Sequence, residues 1–165
     1  MKEWLKISIG GLALLLASAN AAADGWEPGM EVPSLDEYSL SGDAPGLQGK
    51  VTLIDFWASW CAPCKAAFPE MEKLNQEFGD EGFQIIAVSV DQKERSMQQF
   101  LDRRKPTFIT VHDASQKLVE KAGIQVMPTS FMIDKQGVIR FVHEGWHGKK
   151  SAQNLTEEIQ TLLAE

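Results

Sequence analysis

The chain has 165 residues, 44% of them hydrophobic, which suits one compact domain with a buried core. Lys and Arg number 16 against 23 Asp and Glu, a net charge of −7, so there is no basic stripe for a phosphate backbone and nucleic acid is not an expected partner. With only two cysteines, three positions apart, a multi-disulfide staple framework is excluded.

Residues 1–23 read as a secretory signal peptide: Lys2 and Lys6 precede the apolar run from Ile7 to Ala19, and small residues continue through Ala23. The run contains Gly10 and Gly11 and falls short of the roughly 20 residues that span a bilayer, which favours cleavage over anchoring through residues 7–19. Ala19-Asn20-Ala21 and Ala21-Ala22-Ala23 both fit a small-x-small cleavage site, placing the mature start at Ala22 or Asp24. The expected location is the periplasm or another extracytoplasmic compartment.

From Asp24 to Lys50, Gly, Pro and Ser are frequent, and a short apolar stretch around Tyr38–Leu40 suggests an extended segment or a hairpin. Val51–Trp57 is apolar on both alternating faces, the pattern of a central parallel strand covered by helices on each side. Pro63–Phe78 then places Phe68, Met71, Leu74 and Phe78 at helical spacing. A second buried strand is predicted over Phe83–Val90, followed by a helix over Ser96–Arg104 with Met97, Phe100 and Leu101 on one face and Pro106 as its stop. Thr107–Val111 is a short β-rich run, and Ala114–Ala122 a short helix closed by Gly123. Thr129–Ile133 and Val138–Val142 flank Asp134-Lys135-Gln136-Gly137, a turn that suits an antiparallel hairpin. The last helix, Lys150–Leu163, aligns Ala152, Leu155, Ile159, Leu162 and Leu163.

The chemistry concentrates at Cys61-Ala62-Pro63-Cys64, where the first strand hands over to a helix. Free N–H groups and the dipole at a helix start favour a thiolate, so Cys61 is the attacking sulfur and Cys64, one turn further in, the resolving one. Trp60 and Pro63 restrict the turn between strand and helix. A purely structural disulfide would close too short a loop to constrain the unfolded chain much. Zinc would need about four ligands, whereas His112, His143 and His147 lie far from the pair without paired spacing, and Lys65 stands where a haem-attachment motif has His. No metal is expected. Alternation puts Asp55 on the face of its strand that carries Leu53 and Trp57, so it is an acid in a buried setting.

The run Asp55-Phe56-Trp57-Ala58-Ser59-Trp60-Cys61-Ala62-Pro63-Cys64-Lys65 resembles the active-site strand and helix start of thioredoxins, with Pro69 where their first helix carries its kinking proline. Gly49-Lys50, Val88-Ser89-Val90-Asp91 and Met127-Pro128-Thr129 leading into Phe131-Met132-Ile133-Asp134 extend the likeness to the TlpA/ResA-like branch over residues 30–160. The resemblance implies an α/β thioredoxin-like fold over residues 24–165, with a mixed central sheet flanked by helices, an N-terminal extension and a helix–strand insertion after Val90. It also implies an exported thiol-disulfide oxidoreductase that reduces protein substrates through transient mixed disulfides, in some members during cytochrome c maturation. Such an enzyme needs no cofactor and takes electrons from a membrane donor of the DsbD-like kind. Carried over, Asp55 handles the proton of Cys64, Pro128 is a cis-proline facing the disulfide, and Met127 offers its backbone to a substrate that also meets Trp60, Pro63 and Thr129.

The chain departs from two subgroups of the branch. ResA-like proteins tend to carry an acid where this chain has Ala67 and to lack the strand acid that it keeps as Asp55, and reductants of the CcmG type tend to carry Glu where it has Thr129-Ser130. Acid–base work is therefore assigned to Asp55. A peroxiredoxin-like peroxidase and a metal-delivery module are the alternatives, set back by the missing Pro-x-x-x-Thr-x-x-Cys setting and the missing His or Met constellation.

Overall fold

The computed structural model describes residues 25–165, so the signal-peptide reading of residues 1–23 lies outside the described residues. Strand β1 (Val51–Trp57) is buried at all seven positions, a condition that requires cover on both faces. It runs parallel to β2 (Phe83–Ser89) on one side and antiparallel to β4 (Thr129–Ile133) on the other. Strand β3 (Ile109–His112) adds parallel to β2 and β5 (Ile139–Glu144) antiparallel to β4, giving the mixed order β3-β2-β1-β4-β5. The central strand anticipated as parallel is thus parallel to one neighbour only.

Alternation along β1 divides the core in two. Leu53 and Trp57 face α1 (Ala62–Phe78), α2 (Glu94–Arg104) and α4 (Lys149–Ala164), in a cluster that includes Met71, Phe100 and Ile159. Trp57, Phe68 and Phe100 meet there with ring centroids 4.7–5.0 Å apart, tying β1 to the first two helices. Ile54 and Phe56 face the other way, onto Leu118 of α3 (Lys117–Ala122) and onto the N-terminal segment.

That segment forms no hairpin. Leu35–Glu37 makes one 3-10 turn, and two isolated bridges join Glu31 to Val138 and Ser41 to His112. Pro28, Pro33 and Pro45 remove backbone donors, so no continuous ladder can form and the segment pairs one residue at a time with distant strands. It still completes the second layer, because Trp26, Val32, Leu35 and Leu47 are all buried on the sheet. Among the described residues, no helix is long and apolar enough to cross a membrane.

Smaller differences have local causes. The β-rich run read from Thr107 begins as a strand only at Ile109, since Thr107 donates through its N–H (2.9 Å) and hydroxyl (2.7 Å) to Glu72 of α1. These bonds hold the Glu72 carboxyl below its usual range, against the opposing effect of its partial burial. Helix α3 starts later than the sequence suggests because Asp113 and Ser115 form a side-chain-bonded turn and Gln116 takes a left-handed φ of 59°. The β4–β5 hairpin is present, its turn fastened by Asp134 Oδ1 accepting from Gln136 and Val138 N–H, both at 3.0 Å.

Candidate active site

Cys61 is the residue just before α1, in extended conformation, and its Sγ accepts the Cys64 N–H at 3.2 Å. This donor is one that every helix start leaves unpaired, so the helix itself aims an N–H at the sulfur that would carry charge. The two cysteines form a disulfide with Cα atoms 5.3 Å apart, as a three-residue offset over one turn allows. Cys61 is 5% exposed and Cys64 fully buried, so the first residue of the pair is the one that keeps any contact with solvent. Trp60 stands beside it 67% exposed, and Pro63 occupies an exposed position in the first turn of α1.

The turn that presents Cys61 is held from β2. Asp91, 2% exposed, accepts the Ser59 N–H at 2.9 Å and the Ser59 hydroxyl at 2.7 Å, and it also takes the Ser89 hydroxyl at 2.9 Å. His112 Nε2 donates to the Asp91 carbonyl at 2.6 Å, which occupies this histidine in the fold. Asp91 was legible as part of a family pattern, but Ser59 next to a Trp-Cys pair carries no signal that it has a distant acidic partner.

Asp55 is 2% exposed on the face of β1 shared with Leu53 and Trp57, whose apolar cluster includes both cysteines. Its Oδ1 accepts the Ser130 hydroxyl at 2.6 Å, while Oδ2 is buried without a hydrogen-bond partner among the described residues. Burial pushes its carboxyl up from 3.8 to about 7, with the Ser130 bond pulling the other way. An acid in this state exchanges its proton near neutrality.

Because β1 and β4 are antiparallel, with Phe56 opposite Thr129, the chain leaving β1 towards Cys61 and the chain entering β4 from Pro128 share one end of the sheet. The Met127–Pro128 bond is cis. Pro128 is buried with its carbonyl accepting from Gly145 N–H at 2.7 Å, and Met127 is half-buried, packed against both clusters. Thr129 is 3% exposed and its hydroxyl donates inward to Val126 O at 2.7 Å, so its side chain is engaged within the loop. Val126, 42% exposed, joins Trp60 as an apolar side chain left open at this end, and sequence alone did not single it out. The structure therefore gathers Asp55, Trp60, Cys61, Pro63, Cys64 and Met127-Pro128-Thr129 at one end of the sheet. Among the described residues, no group of three or more metal-ligating side chains is found.

A mixed sheet with this strand order, a Cys-x-x-Cys disulfide at the head of the first long helix, a buried strand acid and a cis-proline define a thioredoxin-fold protein built for disulfide chemistry. The chain belongs to the Redoxin family, whose model matches residues 28–158. It is similar to the thiol-disulfide oxidoreductase ResA of Halalkalibacterium halodurans, 34% identical over 117 residues that cover 71% of this chain and 64% of that protein. The thioredoxin-like protein YneN of Bacillus subtilis is 33% identical over 141 residues, 78% of each chain. Among solved structures, a Chlorobium tepidum protein provisionally named thiol:disulfide interchange protein DsbE superposes with a TM-score of 0.77 at 30% identity, covering 84% of this chain and 99% of that one. The ResA-like resemblance read from the motifs thus holds for the family and the fold. The match spans less than two thirds of the Halalkalibacterium protein's own length.

Proposed function

We propose that this chain is an exported thiol-disulfide oxidoreductase that reduces disulfides in protein substrates through Cys61 and Cys64. The observation that carries the reading is the contrast within the pair: one cysteine keeps some contact with solvent and its sulfur is capped by a helix N–H, while the other is sealed on the sheet face that bears a neutral-range acid. In the reduced protein, the Cys61 thiolate attacks one sulfur of a substrate disulfide and forms a mixed disulfide, and the other substrate sulfur departs as a thiolate. Cys64 then passes its proton to Asp55 and attacks Cys61 Sγ. The bond between Cys61 and the attacked substrate sulfur breaks, its electron pair leaves on that sulfur as a second thiolate, and the Cys61–Cys64 disulfide is formed. The substrate has gained two electrons, and its two thiolates take up one proton from Asp55, which returns to its ionised form, and one from solvent. A dithiol donor in the membrane, of the DsbD-like kind, supplies the two electrons for the next cycle, and apocytochrome c cysteines are one substrate class that fits.

Trp60, Val126 and the cis-proline loop supply the surface for an extended polypeptide, and the Met127 backbone makes no hydrogen bond to the rest of the described chain that a substrate would have to displace. The testing experiment is a Cys64→Ser variant expressed in cells, which should accumulate Cys61 mixed disulfides with exported proteins. Recovery of no protein adduct, with the variant folded and Cys61 reactive, would sink the protein-substrate reading.

Direction follows from the dipeptide between the cysteines. Ala62 and Pro63 bring no charge or side-chain donor to stabilise the Cys61 thiolate, so the reduced form gains little. The expected potential lies nearer about −270 mV than about −120 mV, and equilibration in glutathione buffers above about −160 mV would overturn the reductant assignment.

A further inference from the structure

We propose that Ser130 is a positioning residue for proton transfer: its hydroxyl holds Asp55 Oδ1, leaving Oδ2 as the single oxygen that takes the proton of Cys64. The inference rests on the reading of Asp55 given above and assigns to Ser130 a part that the family likeness does not.

The β1–β4 register puts Ser130 directly opposite Asp55, and the Ser130 hydroxyl donates to Asp55 Oδ1 at 2.6 Å. Across β1 the partner of Asp55 is Ala87, which offers nothing polar, and above it lies the apolar cluster of Leu53 and Trp57. In that cluster the titratable groups are Cys61 and Cys64 themselves once reduced. No Lys, Arg, His or second acid exerts a resolved effect on Asp55; burial and the Ser130 bond are the two influences on its proton. Among the described residues, Ser130 is therefore the one side-chain donor that favours the ionised acid inside an apolar layer, where a donor has most effect. With a single O–H, it satisfies one oxygen and leaves the other, Oδ2, buried and unpartnered.

The division has a kinetic consequence. The acid must be ionised to accept a proton, so the rate at which Cys64 resolves the mixed disulfide should rise with pH through the Asp55 titration, near pH 7. Without the Ser130 hydroxyl the ionised form loses its donor, and the midpoint should move up by about one pH unit.

The test is single-turnover release of a peptide thiol from a preformed Cys61 mixed disulfide, measured between about pH 5 and about pH 9. Ser130→Ala should be about tenfold slower than the parent protein below the midpoint and should rejoin it at the alkaline end, while Ser130→Thr should keep the parent profile. Thr and Val share a shape but differ in the hydroxyl, so Ser130→Thr against Ser130→Val carries the same comparison if the Ala variant folds poorly. An unmoved midpoint in both hydroxyl-free variants overturns the inference. Asp55→Asn separates the two levels. If it abolishes the pH step while the Ser130 variants leave it in place, only the role of Ser130 fails; if the step survives in Asp55→Asn, the reading of Asp55 fails with it.

Discussion

Asp55→Asn is expected to make the oxidised protein more stable at pH 8 by on the order of 3 kcal/mol. Its carboxyl titrates at about 7 in the folded chain against 3.8 as its ordinary value, because burial disfavours the charge more than Ser130 favours it. Between those two values the folded state holds a proton that the unfolded state has released, so stability falls as pH climbs through this window and stays low above it. Below pH 3.8 both states are protonated and the penalty is absent. Asn is uncharged at every pH and can still accept from Ser130, so the variant should lack this slope. The same change removes the proposed proton acceptor for Cys64, and release of the mixed disulfide at neutral pH should slow by about a hundredfold. Urea denaturation at about pH 4 and about pH 8, alongside single-turnover release, measures both effects. A variant that is less stable at the higher pH and reacts at the parent rate would show Asp55 to be a satisfied structural acid.

Trp26→Ala should cost about 3–5 kcal/mol, which for a domain of this size is a large part of the total. Trp26 is only 6% exposed, and its ring meets Phe56 edge-on at 5.9 Å and Phe131 at 5.1 Å. Its backbone N–H reaches Ala122 O at 3.1 Å, so the residue joins β1, β4 and α3 beneath the second face of the sheet. Truncation leaves a void among groups that regular elements hold fixed and that cannot close over it. Trp26→Phe should lose about 1 kcal/mol or less, since it keeps an aromatic contact and deletes an indole N–H that is buried without a partner among the described residues. Equal losses for the two substitutions, or a loss under about 1 kcal/mol for Ala, would show that the segment merely rests on the sheet.

The parts of the fold that sequence made legible are those whose signal is local. Val51–Trp57 and Phe83–Ser89 are unbroken apolar runs and are buried at every position. Helix α1 shows its stripe in Phe68, Met71, Leu74 and Phe78, all buried. The cysteine pair could be placed because only three residues separate the end of an apolar strand from Cys61, and a helical stripe begins directly after it. Long-range pairing left no such trace. The segment before Val51 looked extended because its partners, Val138 and His112, lie far along the chain and each contributes a single bridge. Ser130 reads as an ordinary strand serine until the antiparallel register sets it against Asp55, and the acid's own burial could be read from alternation while its donor could not.

The N-terminal segment also orders events in time. Its N–H groups at Trp26, Gly29 and Val32 bond to carbonyls of Ala122, Ile139 and Gly137, each closing a loop of about 100 residues. A ribosome delivers residue 26 long before residue 139, so the first residues of the domain have nothing to dock on until the last third of the chain has emerged. Until then Trp26 and Leu35 stay undocked, and the face of Ile54 and Phe56 that they cover stays open. A polypeptide wired in this way reaches its native state late, an order of events that the export proposed above would require.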